Sequence, residues 1–218
     1  KRLVVIGAGY IGLELGIAYR KLGSEVTFIE ALDTILPIYD TEMTRPISMW
    51  LRKHKVTINL GAKAKGVSTR GKVTTVEYTD SKGQDHKIKA DKVLVTVGRR
   101  PNTQGWGLEK MAVDMDGPFV KVDDQCRTSM KNVWAIGDIV GEPMLAHKAS
   151  AQGEMVAEII AGHRRAFDPV SIAAVCFTDP EIVGVGLTPD EAKERGIETV
   201  IGKFPFAASG RALAMDAG

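Results

Sequence analysis

Leu3-Val4-Val5-Ile6-Gly7-Ala8-Gly9-Tyr10-Ile11-Gly12 decides the fold of this chain. An apolar run that stops at glycine and passes directly into helical periodicity predicts strand, turn and helix. Gly7 permits the tight turn, Gly9 leaves bare backbone for a pyrophosphate, and Gly12 lets the helix pack closely on the strand. Free N–H groups at the helix start supply the anion donors, so Ala8, Tyr10 and Ile11 are read with the three glycines as dinucleotide contacts. Downstream, Ile11, Leu15, Ala18 and Leu22 recur at helical spacing, Gly23 closes the helix, and Val26-Thr27-Phe28-Ile29 reads as a second strand. Glu30 then stands at that strand's carboxyl end. A carboxylate there accepts hydrogen bonds from both ribose hydroxyls of an adenosine and repels a 2′-phosphate, and no Arg or Lys follows before Arg45. The expected ligand is NAD rather than NADP.

Composition narrows the alternatives. The chain has 218 residues, 44% hydrophobic and 26% charged, which fits a globular protein of one large or two small domains. No apolar run approaches the roughly 20 residues of a membrane span. Lys1-Arg2-Leu3 begins a strand rather than a targeting peptide, so a cytoplasmic protein is expected. The net charge of +2 is too small to imply nucleic acid, and Lys53-His54-Lys55 and His163-Arg164-Arg165 lack interleaved aromatics. Cys126 and Cys176 have neither CxxC nor CxxxxC spacing and read as reduced structural thiols. The four histidines are dispersed, and no metal is indicated.

Further along, Asp40 or Thr41 can cap a helix reaching His54, with Ile47, Trp50 and Leu51 on one face. Pro46 would then be interior, a conflict that a start near Thr44 relieves. Val56–Leu60 predicts a third strand, and Val73–Tyr78 before Ser81-Lys82-Gly83 predicts one arm of a meander. Val93–Val97 reads as a buried strand ending in the loop Gly98-Arg99-Arg100-Pro101-Asn102. Beyond this loop, Phe119–Val122 and Val133–Gly137 predict strands, the second ending in Asp138, where an acid can accept from sugar hydroxyls. A helix follows from His147 to Ala161. Asp168-Pro169 reads as a linker, Val175–Phe177 as a strand, Thr188-Pro189-Asp190-Glu191 as a capped helix start, and Thr199–Phe204 as a last strand.

Five separated motifs, in order, carry a family resemblance: Gly7–Glu14, Gly98–Asn102, Val133–Asp138, Met144–His147, and Phe177–Glu181 leading to Phe204–Ala212. Together they resemble the dihydrolipoamide dehydrogenases, within the pyridine nucleotide–disulfide oxidoreductases, and are similar to the bacterial branch over the whole chain. The resemblance implies an α/β protein in three parts. These are a Rossmann-like NAD-binding domain with a β-meander over 1–102, the returning segment of an FAD-binding domain over 103–168, and the truncated start of an α+β dimer-interface domain over 169–218. It implies that Asp138 holds the FAD ribityl chain and that Met144, Leu145, Ala146 and His147 pass beneath the flavin. It places Glu14 near the nicotinamide, Gly98 against NAD through its backbone, and Ala64 in the adenine site. Arg99 and Arg100 read as hinge and solvent contacts.

The implied activity is oxidation of protein-bound dihydrolipoamide with NAD+ as acceptor, in a homodimer serving lipoyl domains of 2-oxo acid dehydrogenase or glycine cleavage complexes. Three family features are missing from this sequence: the CxxxxC disulfide, the C-terminal His-Pro…Glu segment bearing the general base, and the first glycine motif for FAD. No catalytic residue is therefore named, and the chain reads as an internal fragment, inactive alone. Two rivals stand beside this reading: a flavin disulfide reductase of the glutathione or mercuric type, and a non-catalytic NAD-binding fragment.

Overall fold

Residues 1–71 and 73–216 are described by a computed structural model. In chain order, β1 (Arg2–Ile6), α1 (Tyr10–Lys21), β2 (Glu25–Ile29), α2 (Thr41–Lys53) and β3 (Thr57–Asn59) come first. The meander β4 (Lys63–Arg70), β5 (Val73–Thr79) and β6 (Asp85–Ala90) then leads into β7 (Lys92–Val95). The parallel sheet has the order β3-β2-β1-β7, a Rossmann-like arrangement in which the antiparallel meander stands in the crossover between β3 and β7.

Side-chain alternation explains why both faces of the sheet are covered. Leu3, Val5, Val26 and Phe28 point into one core with Leu13 and Ile17 of α1 and Ile47 and Leu51 of α2. Val4 and Ile29 point the other way, onto Val76 and Ala90 of the meander. The inner strands β1 and β2 are thus buried on both sides, which is why their runs are apolar. The run Val93–Val97, read as a buried strand, instead makes the edge strand β7, which ends at Val95. Val95 and Val97 are exposed because no strand covers its outer side among the described residues. Gly16 lets α1 sit against the sheet, since a Cβ there would come within 2.3 Å of the Phe28 ring.

The helix after β2 starts at Thr41, not near Thr44, and Pro46 lies inside it. Asp40 Oδ1 accepts from the Glu42 N–H at 2.7 Å, and Thr44, Ile47 and Leu51 form the buried stripe. Cap and stripe together outweigh the lost N–H of an interior proline.

Three strand expectations are corrected. Only Phe119–Val120 of the 119–122 run is strand (β9), paired with β8 (Met115–Asp116). The run Val133–Gly137 makes a single bridge, Arg127 to Trp134, before a 3₁₀ turn over Gly137–Val140. Residues 199–204 form no strand. In each case the apolar pattern is present, but among the described residues β8 reaches only two residues of the first run and no strand lies along the other two, and a ladder needs a partner. The helix α3 (Ala146–Ile160) and the pair β10 (Ala174–Cys176) and β11 (Ile182–Gly184) complete the unit of residues 1–185. Residues 186–218 form a second unit, described to residue 216, with α4 (Pro189–Glu194) behind a Thr188/Glu191 capping box and α5 (Gly210–Ala214).

Asp91, just before β7, ties that edge strand to its neighbour β1 at their amino ends. It accepts from the Arg2 backbone N–H at 2.8 Å and from the Arg2 guanidinium at 2.7 Å. These bonds hold its carboxyl down to about 2. A group depressed in the folded state contributes stability that is complete above its unfolded value, about 3.9, and is lost as pH falls toward the folded one. Asp91→Asn is therefore expected to lower Tm at neutral pH, with the gap to the parent closing between roughly pH 5 and pH 2. Thermal unfolding across that range checks it, and a gap independent of pH would assign the effect to shape instead of charge.

Candidate functional site

The turn after β1 is built as the glycine spacing requires. Gly7 has φ +102, and a Cβ there would meet the Thr96 carbonyl oxygen at 2.6 Å. Its N–H donates to the Ile29 carbonyl at 2.9 Å, and the Thr96 hydroxyl donates to the carbonyls of Ile6 and Gly7. Gly12 is tighter still: a Cβ would lie 2.2 Å from the Gly7 oxygen and 2.7 Å from Thr96 Oγ1. Gly9 is the contrast. It is the N-cap of α1, no side chain caps the helix, the first turn holds no acid, and a Cβ would meet nothing within 4 Å. The helix start therefore presents N–H groups and a positive dipole end to an open space.

Glu30 stands across that space and is buried. Its carboxylate accepts from the Ala8 N–H at 2.5 Å and the Leu32 N–H at 2.8 Å, one bond to each oxygen. A carboxylate has about four acceptor positions, so two remain. Gly7, Gly9 and Glu30 line a cleft of about 590 Å³, closed on its far side by Ala62, Lys63 and Ala64. A second cavity of about 290 Å³ shares Gly9 and Thr96 and adds Tyr10, Ile11, Gly98, Arg99 and Met144. Both open at the carboxyl ends of β1, β2 and β7, where open α/β sheets bind ligands.

The segment after residue 137 is organised by buried polar groups. Gly137 has φ +80, and its N–H donates at 2.8 Å to the buried side chain of Gln152. Met144 is buried, and its N–H donates to Glu142 Oε2 at 3.0 Å. Leu145 is the extended N-cap of α3 with no side-chain cap, and Ala146 and His147 are exposed. His147 Nε2 meets the Ala173 carbonyl at 2.7 Å. Lys148 is buried and donates to the Gly141 carbonyl at 2.6 Å; burial pulls its pKa down, while Asp138 and Glu142 push it up.

The structure brings Gly7, Gly9, Glu30 and Ala64 to one cleft, and Gly9, Tyr10, Ile11, Gly98 and Met144 to the adjoining cavity. Ala8 and Gly12 support the turn from behind. Glu14 lines neither space; its Oε1 accepts from the Phe177 N–H at 2.9 Å, joining α1 to the end of β10. Asp138 is reached through Arg99, which is no mere solvent contact: its guanidinium pairs with Asp138 Oδ2 at 3.2 Å and also donates to Tyr10 Oη and the Met144 carbonyl. Lys63 and Thr96 are lining residues that reading by neighbourhood missed, because the meander and β7 bring them in from 33 and 66 residues beyond Glu30. Cys126 and Cys176 are both free and buried, and burial pushes both thiols up, which favours the SH form. No group of three potential metal ligands occurs among the described residues, and none of their helices is long and apolar enough to cross a membrane.

Comparison with known proteins adds the wider context. The family described as pyridine nucleotide-disulphide oxidoreductase matches residues 1–153, and its dimerisation domain matches residues 172–217. The chain is 58% identical, over all its length, to the dihydrolipoyl dehydrogenase of Pseudomonas aeruginosa, of which it covers 46%. It is 50% identical to that of Geobacillus stearothermophilus, covering 99% of this chain and 46% of that one. Among solved structures, LpdA from Mycobacterium tuberculosis superposes with a TM-score of 0.84 at 28% identity, over 99% of this chain and 46% of that one. The HOCl-induced flavoprotein disulfide reductase RclA from Escherichia coli gives 0.85 at 27%, over 99% and 49%. The chain thus spans about half the length of the curated relatives it matches.

Proposed function

Because the chain belongs to the pyridine nucleotide-disulphide oxidoreductase family, we propose that it supplies the NAD site and part of the FAD site of a dihydrolipoyl dehydrogenase. The observation that carries this is the open, uncapped α1 start at Gly9 facing the buried Glu30 carboxylate. That cradle fits a dinucleotide: N–H groups for the pyrophosphate, an acid for the ribose, and no side chain where the phosphates approach. Residues 1–102 form the NAD-binding part, 103–168 the returning FAD segment, and 169–218 the start of the interface domain through which a homodimer assembles.

Gly7, Ala8, Gly9, Tyr10, Ile11 and Gly12 shape the pyrophosphate turn, Glu30 takes the ribose hydroxyls, and Ala64 with Lys63 closes the adenine end. Gly98 borders the nicotinamide, and Glu14 stands one turn after Tyr10 on α1, outside both spaces, where the Phe177 N–H holds it. Asp138 and the Met144–His147 stretch face the flavin, where the uncapped start of α3 offers N–H groups to its electron-rich edge. Bound together, flavin and nicotinamide supply the hydride transfer by which electrons from dihydrolipoamide reach NAD+. The residues of this chain bind and align the two cofactors and exclude water between them. The partners are lipoyl domains of 2-oxo acid dehydrogenase or glycine cleavage complexes, in the cytoplasm.

The test is an assay of the polypeptide that carries this chain at the full length of its relatives. NAD+ reduction dependent on dihydrolipoamide is the expected result. NADPH-dependent reduction of glutathione disulfide, with no turnover of dihydrolipoamide, would replace this reading with that of another disulfide reductase.

A further inference from the structure

Arg99 lies four residues past β7, where the chain sets off toward the segment that carries Asp138. Gly98 before it has φ +125, a conformation that L side chains rarely adopt, and this turn sets the direction of the arginine. The guanidinium then meets three acceptors far apart in sequence: Tyr10 Oη at 3.1 Å, Asp138 Oδ2 at 3.2 Å, and the Met144 carbonyl. A planar fork of five donors with a permanent charge can serve all three at once. Lys148, the neighbouring cation, donates to Gly141, and no bond from it to Asp138 is formed. Met144 is also a wall of the 290 Å³ cavity that Gly9, Tyr10 and Ile11 line, so that wall comes from the far side of the clasp.

We propose that Arg99 is a positioning residue: one guanidinium clamps the Asp138–Met144 stretch to the start of α1 and holds the two nucleotide-facing segments in register. The clamp rests on its three contacts; its consequence for cofactors rests on the function proposed above. Hydrogen exchange of the 218-residue chain, with parallel NADH titration, separates the two. Arg99→Met is expected to speed exchange across residues 138–145 by about tenfold while β1 and β2 keep their protection, which shows that the variant is folded. Arg99→Lys keeps the charge without the fork and is expected to recover only part of the protection, exchanging about threefold faster than the parent. Arg99→Met with Asp138→Asn should exchange no faster than Arg99→Met alone, because both remove one clamp. NADH binding is expected to weaken about threefold in Arg99→Met, through the loosened Met144 wall. Parental exchange in Arg99→Met, or effects of the two substitutions that multiply, overturns the clamp. The expected exchange pattern in a chain that binds no NADH upholds the clamp and overturns the nucleotide reading alone.

Discussion

Glu30→Arg is expected to weaken NADH binding by roughly 10- to 100-fold and to raise affinity for NADPH. Hydrogen bonds to a charged acceptor are worth about 1.5–3 kcal/mol, so losing the ribose contacts sets the lower end of this range. The wild-type carboxylate also accepts from Ala8 and Leu32 backbone N–H groups, and arginine cannot accept at all. Part of the loss therefore comes from a glycine turn that is no longer held. The gain for NADPH has support on the opposite wall, where Lys63 already lines the cleft. A 2′-phosphate would meet two cations in the variant, against one cation and one carboxylate in the parent. Glu30→Gln separates the contributions: it should lose NADH affinity by about tenfold without gaining NADPH. Fluorescence titration of both nucleotides reads all three proteins, and unchanged selectivity in Glu30→Arg would remove this residue from the cofactor site.

Gly12→Ala is expected to destabilise the chain by about 3 kcal/mol, against the usual trend for a helix interior. In an exposed helix the same change adds roughly 1 kcal/mol of stability. Here the new methyl would stand 2.2 Å from the Gly7 oxygen and 2.7 Å from Thr96 Oγ1. The Gly7 oxygen belongs to the backbone, and the Thr96 hydroxyl already donates to two carbonyls, so neither gives way cheaply. Relief requires α1 to move off β1, uncovering Leu13 and Ile17 from the core they fill. Urea denaturation measures the difference. A variant as stable as the parent, or more so, would show that α1 does not depend on this close approach.

Much of this was legible because it is local. The apolar runs Leu3–Ile6 and Val26–Ile29, the three glycines and the terminal acid all lie within one βαβ unit, where spacing and geometry map onto each other. What was not legible depends on distant partners. Glu30 reads as a ribose acceptor, yet nothing in its neighbours says that it also fastens Ala8 from across the turn. Lys63 and Thr96 reach the cleft through the meander and the last parallel strand, and Arg99 finds Tyr10 and Met144 through a fold in the chain at Gly98. The expected strands that do not form have the same cause: Val133–Gly137 and Thr199–Phe204 carry strand-like residues, but pairing is a property of two segments, and one sequence run states only its own half. Pro46 is the reverse case: a proline inside a helix is locally unfavourable, but the aspartate cap and the buried stripe outweigh it.

The central claim is that the α1 start at Gly9 is a nucleotide-phosphate cradle opposite Glu30, and calorimetric titration of NADH into the parent chain and Gly9→Ala tests it most directly. Gly9 has φ −74 and ψ −179, which alanine adopts freely, and its methyl would meet nothing within 4 Å. The fold should therefore be untouched, with Tm within about 2 °C of the parent, while the methyl takes the space of an approaching phosphate and NADH affinity falls at least tenfold. A Gly9→Ala chain that binds NADH as tightly as the parent would contradict the account.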